Sequence, residues 1–124
     1  MKLRLYSRGE VLVLEPVGNI RSEEEVAKLD EKLYSILGRG KKKVVVDLGR
    51  TIWLSSRAIS TLLNHNIRFR EAGGRLLLAN LTNKIEELIA ITRLASFFEV
   101  HDTLGAAVDS FEKKIDASSS LRPI

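Results

Sequence analysis

Leu3 and Leu5 alternate with polar residues from Lys2 to Ser7, the pattern of a half-buried strand. Arg8-Gly9-Glu10 then reads as a turn and Val11-Leu12-Val13-Leu14 as a second strand, so the chain begins with a hairpin that Pro16 and Gly18 end. Ser22 followed by Glu23, Glu24 and Glu25 marks a helix start, with a hydroxyl cap and carboxylates in the positive first turn. Val26, Leu29, Leu33, Ile36 and Leu37 fall on one face of that helix, and Gly38 with Gly40 stops it. Val44-Val45-Val46 with Leu48 is a continuous apolar run, as in a strand covered on both sides.

A long helical pattern starts at Ser56, with Ile59, Leu62, Leu63, Ile67 and Phe69 on a broad face, and ends at Ala72-Gly73-Gly74. Asn66 and Arg70 fall inside that face by angle, and nothing in the pattern accounts for them. Arg75 to Asn80 is another apolar strand, and Asn83 to Thr92 a helix with Ile85, Leu88, Ile89 and Thr92 at helical spacing. Phe97-Phe98 and Val100 suggest a short strand. Thr103 to Lys114 gives a last helix burying Leu104, Ala107, Val108 and Phe111. The order β-β-α-β-α-β-α-β-α predicts one α/β domain over residues 1–115. It is a mixed, largely parallel sheet of four to five strands, with four helices packed against it and an antiparallel N-terminal hairpin. The small, polar residues from Asp116 predict a mobile tail over 116–124.

With 124 residues the chain is long enough for one sizeable core, and the absence of cysteine excludes disulfides, thiolate catalysis and cysteine-ligated zinc. No apolar run is long enough for a signal peptide or a bilayer span, so a soluble, cytoplasmic protein without membrane insertion is expected. Lys and Arg total 20 against 16 Asp and Glu, an excess spread along the chain. The dense run Arg39-Gly40-Lys41-Lys42-Lys43 reads as a solvated loop guarding the next strand. Aromatics make up only 6% of the chain, too few for a stacking surface, so no nucleic acid is expected as a partner.

Little catalytic chemistry is present. His65 and His101 lie in different elements without a carboxylate pattern, so neither a metal site nor a Ser-His-Asp arrangement is expected, and His65 reads as a surface residue. Gly73-Gly74 follows a helix instead of opening one and reads as a stop, not a phosphate loop. The expectation is no enzyme, no metal and no cofactor. Two features remain open. Trp53, the single tryptophan, is either packed near the sheet edge, the favoured reading, or a half-exposed interface anchor. Ser55 and Ser56 stand where a buried strand hands over to a helix. One of them serves as a cap, and a hydroxyl there is also well placed to carry a phosphate.

The chain resembles the STAS domain family, which includes bacterial anti-sigma factor antagonists and sulfate-transporter domains, over roughly Leu3 to Phe111. "VVVDL" ending at Asp47-Leu48 is similar to the family's central strand. Ser55-Ser56-Arg57-Ala58 stands without a gap where the family has Asp-Ser-Ser-Gly. "REAGGRLLL" resembles its helix end and next strand, and "ITRLASFFEVHDTLGAAV" its C-terminal segment. The resemblance implies a protein-interaction module that binds an anti-sigma factor with serine kinase activity and frees a sigma factor. It puts the phosphorylated serine at Ser56 and a docking surface at Trp53, Ser55, Ser56, Arg57 and Ala58. A serine phosphatase and a homodimer are further partners consistent with it. The family's Asp is Ser55 here, its second Ser is Arg57 and its Gly is Ala58. These departures keep a second function open: a non-phosphorylated scaffold in a stress-signalling assembly, or the accessory subunit of a lipid-transport complex, with Ser56 acting only as a cap.

Overall fold

The computed structural model describes the backbone of residues 1–121 and the side chains of residues 1–112. The last helix runs past its expected end at Lys114, its backbone helical to Leu121 across part of the tail expected over 116–124, and residues 122–124 lie outside the described residues. The elements run β1 (Lys2–Arg8), β2 (Val11–Val17), α1 (Glu23–Gly38), β3 (Lys43–Asp47), α2 (Ser56–Glu71), β4 (Arg75–Ala79), α3 (Asn83–Thr92), a single 3-10 turn (Ala95–Phe97), β5 (Glu99–His101) and α4 (Leu104–Leu121). They follow the expected order.

The five strands lie in one sheet in the order β1-β2-β3-β4-β5. β1 pairs antiparallel with β2, and every other neighbouring pair is parallel. Because a parallel pair needs a crossover, α1, α2 and α3 each leave the carboxyl end of one strand and return the chain to the start of the next. Their N-termini therefore gather along a single edge of the sheet.

Alternation within the strands divides the core in two. Leu14, Val44, Val46, Leu76 and Leu78 point toward α1, α2 and α3, where Leu29, Leu33, Ile59, Leu62, Phe69 and Ile85 meet them. Val11, Val45, Leu77 and Ala79 point the other way, against Ala107 and Phe111 of α4. Full burial of each such aliphatic side chain contributes about 1.5–3 kcal/mol. The valine run of β3 is buried on both sides, as a central parallel strand requires.

The turn after α2 depends on glycine. Gly73 has φ +86°, a conformation that side chains disfavour, and a Cβ on Gly74 would stand 2.4 Å from the Lys42 carbonyl oxygen. Only a residue without a side chain lets β4 start this close to β3.

The α2 face differs from the expected one. Ile67 is 42% exposed, while the buried stripe runs through Ala58, Ile59, Leu62, His65, Asn66 and Phe69. Asn66 belongs inside because its Nδ2 donates to the Phe97 carbonyl at 2.7 Å, satisfying the 3-10 turn that leads into β5. Arg70 is exposed. The expected strand near Phe97 and Phe98 starts later: Ala95–Phe97 is the 3-10 turn and pairing begins at Glu99.

Candidate functional site

The carboxyl edge of the sheet is built by a loop stitched down on both sides. β3 ends at Asp47, whose buried Oδ1 accepts from the Gly49 backbone N–H at 3.0 Å and from Asn80 Nδ2 at 3.1 Å. Thr51, also buried, donates its hydroxyl to the Pro16 carbonyl at 3.1 Å. Gly18 N–H donates to the Arg50 carbonyl at 3.0 Å, Ile20 N–H to that of Trp53 at 3.1 Å, and Ser55 N–H to that of Ile20 at 2.9 Å. Ile20 and Leu54 thus form an isolated parallel bridge beyond the strands, and both side chains are buried. The loop from Asp47 to Ser55 is held like a strand extension, and it presents the start of α2 in a fixed position.

The two serines divide the work. Ser55 is the N-cap of α2: its hydroxyl accepts from the Ala58 N–H at 3.1 Å. Ser56, the first helical residue, is exposed, and its hydroxyl makes no hydrogen bond among the described residues. No basic or acidic side chain among the described residues hydrogen-bonds to it. Arg57 projects outward, with Nη1 2.7 Å from Glu23 Oε1 of α1, and both side chains are largely exposed. Ala58 has no exposed surface. It therefore drops out of the expected docking residues: its methyl packs into the core, and only its N–H serves the cap.

Trp53 corrects the favoured expectation of core packing. It is half-buried, with Arg21 Cζ and Lys84 Nζ each 5.2 Å from its ring. Arg21 immediately precedes Ser22, the cap of α1, and Lys84 lies in the first turn of α3, capped by Thr82. The indole thus sits between the starts of those two helices. Ile52, next to it, is 60% exposed. Reasoning from sequence missed Arg21 and Lys84. The signal was indirect, since only the parallel order of strands brings the residues flanking Ser22 and Thr82 to Trp53.

At the start of α1 a capping box is complete. Ser22 Oγ accepts from Glu25 N–H at 3.1 Å, and Glu25 Oε1 accepts from the Ser22 N–H at 3.0 Å and the Arg21 N–H at 2.9 Å. Those backbone donors hold the Glu25 carboxyl below the usual carboxylate range. Of the acids in this turn, Glu25 is committed to the cap and Glu23 to Arg57.

His65 is not the surface residue expected. It is 2% exposed, and its Nε2 lies 2.7 Å from Asp30 Oδ1 of α1, while Nδ1 is buried without a partner among the described residues. The pair ties α1 to α2 well along the helices, away from the Ser56 end. No group of three or more His, Asp or Glu side chains able to hold a metal occurs among the described residues. Among the described residues no helix is long and apolar enough to cross a membrane.

The STAS domain model matches residues 2–107, and the chain belongs to that family. A curated relative, BtrV of Bordetella bronchiseptica, named as a proposed anti-sigma factor antagonist, is 29% identical over 114 residues, covering 90% of this chain and 96% of BtrV. The crystal structure of an anti-sigma factor antagonist from Mycobacterium paratuberculosis superposes with a TM-score of 0.78 at 16% identity, covering 88% of this chain and 92% of that one. The Bacillus cell fate determinant SpoIIAA, in its phosphorylated form, gives 0.68 at 16% identity, covering 89% and 99%. At such identities the superpositions establish the mixed five-stranded fold.

Proposed function

We propose that this chain is an anti-sigma factor antagonist. It docks an anti-sigma factor with serine kinase activity on the surface around Ser56 and so frees a sigma factor. Phosphorylation of Ser56 by that kinase reverses the docking, and a serine phosphatase resets it. The observation that carries this is the state of Ser56: an exposed hydroxyl, relieved of capping by Ser55, in the segment whose resemblance to the family motif puts the phosphorylated serine there. The name of BtrV and the phosphorylated form of SpoIIAA support the same assignment.

The energetics give such a switch its direction. A phosphate on Ser56 adds about −1.5 to −2 charges at neutral pH. The α2 N-terminus accommodates that charge, gaining ~0.3–1 kcal/mol, and Arg57 can leave Glu23 for it at little expense because their pair is exposed. The domain stays folded. A partner closing over the site must instead strip water from the phosphate, at several kcal/mol when matched donors are lacking. At about 1.4 kcal/mol per tenfold, the affinity falls a hundredfold or more.

The alternative is a non-phosphorylated scaffold or transporter accessory subunit. It is favoured by one observation: Arg57, where the family has its second serine, is already engaged by Glu23. Incubation with the anti-sigma kinase and ATP, followed by mass spectrometry, separates the two. The antagonist gains one phosphate, at Ser56, and the Ser56→Ala variant gains none. An unmodified wild-type chain sinks the switch and favours the scaffold.

A further inference from the structure

The chemistry of the partner is written on the same edge. Two cations, Arg21 and Lys84, each stand 5.2 Å from the Trp53 ring, and Ile52 beside it is 60% exposed. Neither Arg21, Lys84 nor Arg50 of the same loop is in an ion pair among the described residues. The capped starts of α1, α2 and α3 add the positive ends of three helix dipoles. Glu23 and Glu25 are committed to Arg57 and to the cap. Glu24 and Glu86, the remaining carboxylates of the first turns, lower the net charge, but the groups on the indole itself are cations.

From this arrangement we propose that the Trp53 surface docks an acidic protein surface, with Ile52 and the indole as the apolar centre and Arg21 and Lys84 as the rim that meets carboxylates, an inference that rests on the docking role proposed above. Apolar centres with charged rims are how such interfaces combine affinity with selection of partner. The consequence for regulation concerns sign. A phosphate on Ser56 acts on an acidic partner by repulsion in addition to desolvation, and it neutralises the cations that attract that partner. The charge at position 56, and not its bulk, then sets the affinity.

The single tryptophan makes this measurable by its own fluorescence. The full chain is titrated with hexaglutamate and, separately, with hexalysine. Hexaglutamate is expected to shift Trp53 emission, with an affinity that falls as salt rises from about 0.05 to 0.5 M. Arg21→Gln and Lys84→Gln should each weaken binding roughly two- to fivefold. Ser56→Asp should weaken it as well, and Ser56→Lys should strengthen it. All three positions are exposed, and a thermal melt confirms that each variant is folded. Equal response to hexalysine, or equal weakening by Ser56→Asp and Ser56→Lys, overturns the proposal. Failure of the docking role is distinguishable. If hexaglutamate binds as expected but the anti-sigma kinase ignores position 56, the surface chemistry stands and the switch falls. If the kinase responds to position 56 while hexaglutamate leaves Trp53 unmoved, the acidic partner falls alone.

Discussion

The Ser55 hydroxyl accepts the Ala58 N–H at 3.1 Å, and this one bond frees the neighbouring Ser56 from any structural duty at the start of α2. Adjacent, chemically identical side chains should therefore respond differently to the same substitution. Ser55→Ala loses a cap and should lower stability by about 1 kcal/mol in chemical denaturation. Ser56→Ala should stay within about 0.5 kcal/mol of wild type. Equal losses would show that both hydroxyls cap the helix.

His65 offers a test of the buried seam between α1 and α2. Its Nδ1 is buried without a partner among the described residues, an arrangement that costs about 1–3 kcal/mol, whereas Asp30 is 56% exposed and can be solvated alone. His65→Leu removes the orphaned nitrogen and keeps most of the volume, so its melting temperature should be at or above that of wild type. His65→Ala leaves a cavity and should cost about 2–3 kcal/mol. A strongly destabilised His65→Leu would mean that the bond to Asp30 outweighs the orphaned atom.

The capping box of α1 predicts a pH dependence. Glu25 has a folded-state pKa held low by the Ser22 and Arg21 N–H groups. Its contribution is therefore fully present above the ordinary carboxylate range and is lost as pH falls through the lowered value. Glu25→Gln cannot ionise. The melting-temperature gap between wild type and Glu25→Gln should be widest near neutrality and close in acid. A gap independent of pH would contradict the assignment.

Gly74 sets how closely β4 approaches β3. A Cβ there would meet the Lys42 carbonyl oxygen at 2.4 Å, and the neighbour is backbone, which cannot turn aside. Gly74→Ala should destabilise by about 1–3 kcal/mol, and Gly38→Ala, which meets nothing within 4 Å, serves as the control.

What could be read in advance follows from whether the decisive contacts are local. The β3 valines announced a strand covered on both faces, and Ser22 with Glu25 announced a capped helix, because each signal is complete within a few residues. The α2 face misled for the opposite reason. His65 and Asn66 lie on the buried stripe by angle, but their partners, Asp30 and the Phe97 carbonyl, are more than thirty residues away, so hydropathy favoured Ile67. The site shows the same split. Ser56 stands out as a candidate in the sequence because it lies in a short segment of recognisable spacing. The cations around Trp53 come from two other crossovers, and only the assembled sheet brings them together.

The most direct measurement is calorimetric titration of the anti-sigma kinase with wild type, Ser56→Ala and Ser56→Asp, each checked by thermal melting. Wild type and Ser56→Ala should bind alike, while Ser56→Asp should bind at least a hundredfold more weakly with an unchanged melting transition. Equal affinity for all three chains would contradict control of docking by charge at Ser56.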